Sequence, residues 1–251
     1  MFLSTRRGLV YDSNFRAGAD VCFFRHVLQL GCGTALPSLA LFQWAMAERK
    51  RKSAAGQESS APLVITLADY NPSVLYLVTL PNFLLAWALE QRGELTILEE
   101  AFTSCEGELE ITPEVLAAFT DFLSSSNITL SFLSGAWSPE FVDLLYSSSV
   151  IPASLSESGN SQTLVIGAET IYSPFALESF MITLLSILER ERRNRPNGYT
   201  AAIIAAKKLY FGVGGSLDDF VDKMRTNGAV VDTLREETEG VRRGVVKCLL
   251  S

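Results

Sequence analysis

With 251 residues, 48% of them apolar, the chain is long enough to bury a full core and too apolar to stay disordered. A formal net charge of −7 argues against broad nucleic-acid binding, whose affinity comes from Lys and Arg on phosphates, and suits a basic protein partner. Four cysteines (Cys22, Cys32, Cys105, Cys248) without a C-x-x-C pair argue against a disulfide framework or zinc site and for reduced thiols in cytoplasm and nucleus. The single histidine, His26, rules out a multi-histidine metal centre and is expected to be structural.

Residues 1–26 carry Arg6 and Arg7 with no apolar run directly after them, so no secretory signal is expected. "VLQL" (27–30) reads as the first strand, followed by a helix to about Glu48. Gly31, Gly33 and Pro37 interrupt this apolar stretch, and Gln29 and Gln43 sit inside it, so a buried strand followed by a packed helix fits better than a membrane span. Residues 49–62 read as a solvated surface insertion and "LVITLAD" (63–69) as the second strand. A helix then begins with Asn71 as its cap and Pro72 in its first turn, and Pro81 is expected to kink or divide it.

Residues 93–127 read as a second insertion, containing a helix capped by Thr112 ahead of Pro113. "ITLSFLSGAW" (128–137) is the third strand with its exit loop, and "TLVIGAETIY" (163–172) is the fourth. A long amphipathic helix follows, then a fifth strand opening into the glycine loop "KKLYFGVGG". The end of the chain, around Gly240 to Gly244, reads as an antiparallel hairpin. The sum is a doubly wound, mostly parallel α/β sheet with helices on both faces.

In such sheets ligands sit beyond the C-terminal strand ends, where strand order reverses. "LGCGTALP" turns from the first strand straight into a helix; Gly31 and Gly33 are present, but Leu36 stands where a dinucleotide motif has its third glycine. Asp69 closes the second strand. With the polar insertion set aside, it lies about 20 to 25 residues on, the spacing of a carboxylate that accepts from ribose hydroxyls.

These pieces resemble the class I, seven-strand, S-adenosylmethionine-dependent methyltransferases. With "LQLGCGTALPSLAL", "ADYNPSVLYLVTLPN", "FLSGAW", "GAETIYS" and "AAKKLYFGVGG" taken together, the chain from about Val27 onward resembles the eukaryotic protein-histidine N-methyltransferases of the methyltransferase-like group. The resemblance implies a methyltransferase domain over 27–251 after a divergent segment 1–26, with S-adenosyl-L-methionine as cofactor. Gly31, Cys32 and Gly33 would lie against its amino-acid moiety, Asp69 would hold the ribose beside Tyr70 and Asn71, and Gly135 and Trp137 would flank the adenine. Asn71 as a plain cap and Trp137 as a core aromatic remain open.

Glu169 and Tyr172, at the end of the fourth strand, mark where substrate enters in related enzymes. A neutral imidazole is nucleophilic as it stands, and Glu169 would orient it and stabilise its growing charge; Tyr172 packs or contacts substrate. "AETIY" lacks the Asn/Asp-Pro-Pro-aromatic turn of enzymes that methylate bases or glutamine, which favours a protein substrate. Lys207, Lys208 and Tyr210 either reach substrate from a mobile glycine loop or belong to an ordinary connection. The family's target implies a large-subunit ribosomal protein, with no direct nucleic-acid, membrane or metal partner.

Two departures are visible. Residues 1–26 lack the family's segment of the form E-G-G-x-K-x-W-E, and Gln29 stands where many relatives have Asp or Glu. A lysine methyltransferase of the same fold and a non-catalytic, chaperone-like binding module therefore stay open beside the histidine enzyme.

Overall fold

A computed structural model describes residues 24–56, 61–102, 108–147 and 162–250. Seven strands form one sheet: β1 (His26–Leu30), β2 (Leu63–Asp69), β3 (Ile128–Ser134), β4 (Gln162–Ala168), β5 (Tyr199–Lys207), β6 (Ala229–Glu237) and β7 (Arg243–Leu250). Their order is β3-β2-β1-β4-β5-β7-β6. The first five run parallel, while β7 is antiparallel to both β5 and β6, as the hairpin reading expected. Order reverses at β1, which lies between β2 and β4, so its C-terminal end is the switch point.

Alternation along β1 shows how the two faces are filled. Leu28 and Leu30 enter the core under α6 (Pro139–Leu145), α7 (Pro174–Asn194) and α8 (Leu217–Thr226). Val27 enters the opposite core, covered by α1 (Leu36–Ala54), α3 (Leu80–Gln91), α4 (Thr96–Ala101) and α5 (Pro113–Ser125).

Two expectations change. Helix α1 runs through the basic stretch to Ala54, where Glu48 pairs with Arg51 and Lys52, so much of the first insertion is helix; residues 57–60 lie outside the described set. Residues 93–127 are not a surface insertion throughout. Their helices α4 and α5 bury Leu98, Val115 and Phe119, and Phe119 packs 5.2 Å from the fully buried Trp87. The short α4 carries too few residues to display a helical period, so its core role was not readable in the sequence.

Pro81 divides its helix as expected, by a specific route. After α2 (Pro72–Val74) the chain widens into a π turn, Leu75–Thr79, in which the Leu80 N–H donates to the Leu75 carbonyl. Pro81 has no N–H to give, and its ring would crowd the carbonyl four residues back; the wider turn absorbs both problems. The segment 72–91 is long and apolar enough to cross a membrane, but Phe83, Leu84, Trp87 and Ala88 are buried in the core of this fold.

His26 is an inward-facing β1 residue, 1% exposed, with Nε2 3.1 Å from Thr66 Oγ1. Burial, countered by Glu191 and reinforced by Arg195, lowers its pKa to about 4. It is neutral at physiological pH and structural, as anticipated.

Candidate active site

The register brings the ends of β1 to β4 to one rim: Leu30 is level with Ala68 and Gly167, and Asp69 with Ser134. Gly31 leaves β1 with φ +62, and a Cβ on it would lie 2.5 Å from Thr170 Cγ2, so two chain segments meet there at a distance only glycine permits. The turn is then tied to β2. Cys32 N–H donates to the Ala68 carbonyl at 2.9 Å, and Gly33 N–H donates to Asp69 Oδ2 at 3.0 Å.

Asp69 Oδ1 accepts from the Asn71 N–H at 3.1 Å, while Asn71 caps α2 by accepting from the Ser73 N–H at 3.0 Å. Asp69 therefore uses about two of its roughly four lone-pair positions, one on the turn and one on the entry to α2, and keeps the others, part-exposed, for further donors. The bend and the carboxylate share one site.

Supports that the sequence did not announce lie beneath the turn. Thr79 sits in the π turn with its hydroxyl 2.7 Å from the Gly33 carbonyl, to which it donates, and Asn82 Nδ2 donates to the Thr34 carbonyl at 3.1 Å. Gln29 is buried; its Oε1 accepts from the Ser38 N–H at 3.2 Å, and its Nε2 donates to the Cys32 carbonyl at 3.4 Å. The amide thus caps α1, whose entry residue Ala35 has no capping side chain, and also braces the glycine turn. A carboxylate at position 29 could not make the second bond. The Cys32 thiol, pushed up to about 11 chiefly by burial, is a packing group rather than a nucleophile.

Trp137 stands edge-on to Phe141 at 5.1 Å, and its Cζ2 would lie 3.8 Å from a Cβ on Gly31. It is both core aromatic and neighbour of the turn. Gly135 spends its N–H on the Asp69 carbonyl at 3.2 Å and packs against Phe141. Tyr70 extends into solvent beside Asp69.

The β4 end is built differently. Thr170, not Glu169, is the residue that meets Gly31; its Oγ1 is buried without a partner among the described residues. Glu169 has φ +58, a left-handed conformation costing a non-glycine residue about 1 kcal/mol or more. Its Oε2 accepts from the Tyr210 hydroxyl at 2.8 Å and its Oε1 from Arg243 Nε at 3.2 Å. Both charged side chains are roughly half-exposed, so this ion pair contributes at most about 1 kcal/mol to stability. A cleft of about 180 Å³ opens beside them, lined also by Arg235 and Glu237.

Tyr172 is exposed on the same rim, with Phe175 and Phe211 nearly fully so. The glycine loop is docked rather than loose: a Cβ on Gly215 would lie 2.3 Å from the Ile171 carbonyl oxygen, and Tyr210 N–H donates to the Gly215 carbonyl at 2.9 Å. Lys208 is committed to Asp218 and Glu236, and Lys207 lies over the Tyr210 ring at 5.2 Å. Tyr210 and Arg243 were missed as partners of Glu169 because they lie 41 and 74 positions away in the chain.

Strand order and this rim define the class I, Rossmann-like methyltransferase fold. More narrowly, the chain is related by sequence to histidine protein methyltransferase 1 of Saccharomyces cerevisiae, 34% identical over 231 residues that cover 88% of this chain and 56% of the yeast protein. The Schizosaccharomyces pombe protein of the same name is 32% identical over 223 residues, with the same coverage of 88% and 56%. The Rattus norvegicus homologue is 26% identical over 218 residues, covering 86% of this chain and 47% of that protein. The chain thus spans about half the length of these curated relatives. No family model matches it. Among solved structures, the rRNA methyltransferase aviRa from Streptomyces viridochromogenes gives a TM-score of 0.43 at 12% identity, covering 89% of this chain and 76% of that one. A human methyltransferase 10 domain containing protein gives 0.41 at 9% identity, covering 93% and 75%.

Proposed function

We propose that the protein transfers a methyl group from S-adenosyl-L-methionine to a histidine imidazole of a protein substrate, a large-subunit ribosomal protein. The relation to two fungal histidine protein methyltransferases along 88% of the chain carries this reading.

The rim fits such a cofactor. Asp69 offers spare acceptor positions to a pair of ribose hydroxyls, the 31–33 turn approaches with backbone alone, and Thr170, whose methyl group faces Gly31, carries a buried hydroxyl without a partner among the described residues. When bound, the cofactor supplies an electrophilic methyl group on a sulfonium. The chain's own residues then align the nucleophile and hold water away. A substrate imidazole, with an unperturbed pKa of about 6.5, is largely neutral at pH 7 and needs no base to make it a nucleophile. Glu169 retains a lone-pair position on each oxygen and would accept the imidazole's other N–H, fixing the ring and balancing the positive charge that develops. The exposed rings of Tyr172, Phe175 and Phe211 offer apolar surface to a protein substrate. Buried, unpaired thiols at Cys32 and Cys248 support a reducing compartment, cytoplasm or nucleus.

The test is transfer of a labelled methyl group to large ribosomal subunits, followed by acid hydrolysis and identification of the modified amino acid. Methylhistidine is expected. Methyllysine would move the reading to the lysine enzyme. Cofactor binding by calorimetry with no transfer would leave a binding module.

A further inference from the structure

We propose that Tyr210 is a positioning residue: its hydroxyl, with Arg243, fixes the Glu169 carboxylate at the substrate rim. This inference rests on the role given to Glu169 above.

The direction of the hydroxyl proton follows from its neighbours. Tyr210 Oη receives the Lys207 N–H at 3.3 Å and lies 2.8 Å from Glu169 Oε2. An ionised carboxylate can only accept, so the one hydroxyl proton points at Glu169. Burial first, and then the bond to Glu169, raise the Tyr210 pKa far above its ordinary value, so the group stays a donor throughout the working range. It is therefore no general base.

The ring itself is held from several sides. Only 7% of Tyr210 is exposed, and its carbonyl accepts the Gly214 N–H at 3.1 Å. Gly215, at the end of the same loop, is pressed against the backbone of residues 171–173, which begins two residues after Glu169. The loop that carries the hydroxyl is thus clamped to the segment that carries the carboxylate. Glu169 in turn departs from the strand with a left-handed backbone, a conformation that persists only where the surroundings impose it. Two donors, one for each carboxylate oxygen, leave the remaining lone pairs aimed in a fixed direction.

The experiment uses the full chain and large ribosomal subunits as methyl acceptor. Tyr210→Phe keeps the ring and removes the donor, so kcat should fall about tenfold, the loss of one hydrogen bond to a charged group. KM for subunits and calorimetric affinity for S-adenosyl-L-methionine should stay within about twofold, since neither contact passes through the hydroxyl. Arg243→Gln, at an exposed position, should lower kcat in the same way by a smaller factor. In a Glu169→Gln background, Tyr210→Phe should cost nothing further; losses that multiply would overturn the proposal. Parent-level kcat in Tyr210→Phe beside a depressed Glu169→Gln would sink this inference and leave the role of Glu169 standing. Parent-level kcat in Glu169→Gln would remove that role itself. A readout independent of turnover is the order of the Glu169 side chain from ¹³C relaxation: it should drop in Tyr210→Phe, and unchanged order overturns the inference.

Discussion

The two halves of the rim are built on opposite principles. At the β1–β2 end, residues 31–34 are held by backbone amides, by one carboxylate and by the buried side chains of Gln29 and Thr79. At the β4–β5–β7 end, Glu169 is held by a phenol and a guanidinium arriving from distant segments, with half of its own surface in water. The first arrangement suits a ligand of constant shape, approached closely by main chain. The second suits a side chain that must keep lone pairs free for a group on another protein. Damage to the first half should therefore register in stability and cofactor affinity, and damage to the second in turnover.

The sharpest way to break this division is Gly31→Ala. The added methyl group meets Thr170 Cγ2 at 2.5 Å on a backbone with φ +62, and strain plus overpacking should cost about 3 kcal/mol, read as a shift in urea midpoint. Adding Thr170→Ser removes the colliding methyl group and should recover the overpacking share but not the backbone share. If Gly31→Ala leaves both stability and cofactor affinity intact, the first half is not built as described.

A second test concerns the floor beneath that half. His26 is held near a pKa of about 4 by burial, opposed by Glu191 and aided by Arg195, against about 6.5 in an unfolded chain. Between those values the unfolded state binds the proton more readily, so stability falls as pH drops through the window and is fully present above it. The whole effect is about 3 kcal/mol, and His26→Gln should flatten denaturation midpoints measured between pH 6.5 and 4.

Asp69→Ala comes next. Losing a charged acceptor should weaken S-adenosyl-L-methionine about 30- to 100-fold by calorimetry, with kcat at saturating cofactor reduced far less. Equal affinity in variant and parent would remove the ribose assignment. The smallest effect is expected at Thr170. Its hydroxyl lacks a partner among the described residues, so Thr170→Val should leave unliganded stability within about 1 kcal/mol of the parent or slightly raise it, while cofactor affinity drops several-fold if the ligand supplies the missing bond.

Much of the first half was legible in the chain. Gly31, Gly33, Asp69 and the Asn71-Pro72 cap lie in two short runs, each with its own local signature of turn, strand end and helix start. Thr79 was not: a threonine inside an apolar helix carries no signal, and only the π turn that accommodates Pro81 places its hydroxyl under the Gly33 carbonyl. Gln29 was read as a departure from relatives, whereas burial makes it a cap and a brace. Thr170 went unnoticed, because it follows the end of β4 and a left-handed Glu169, where no strand alternation says which side chain meets the turn.

Local chemistry alone determined the strands, the helices α1, α3, α5 and α7, the glycine turn and the carboxylate that answers it, because each depends on residues within a few positions of one another. Tertiary structure decided which side chains share the Glu169 oxygens, that α4 and α5 join the core, and that the glycine loop is clamped rather than free. Those outcomes depend on strand register and crossover packing, which bring residues 169, 210 and 243 together over distances that no sequence period encodes.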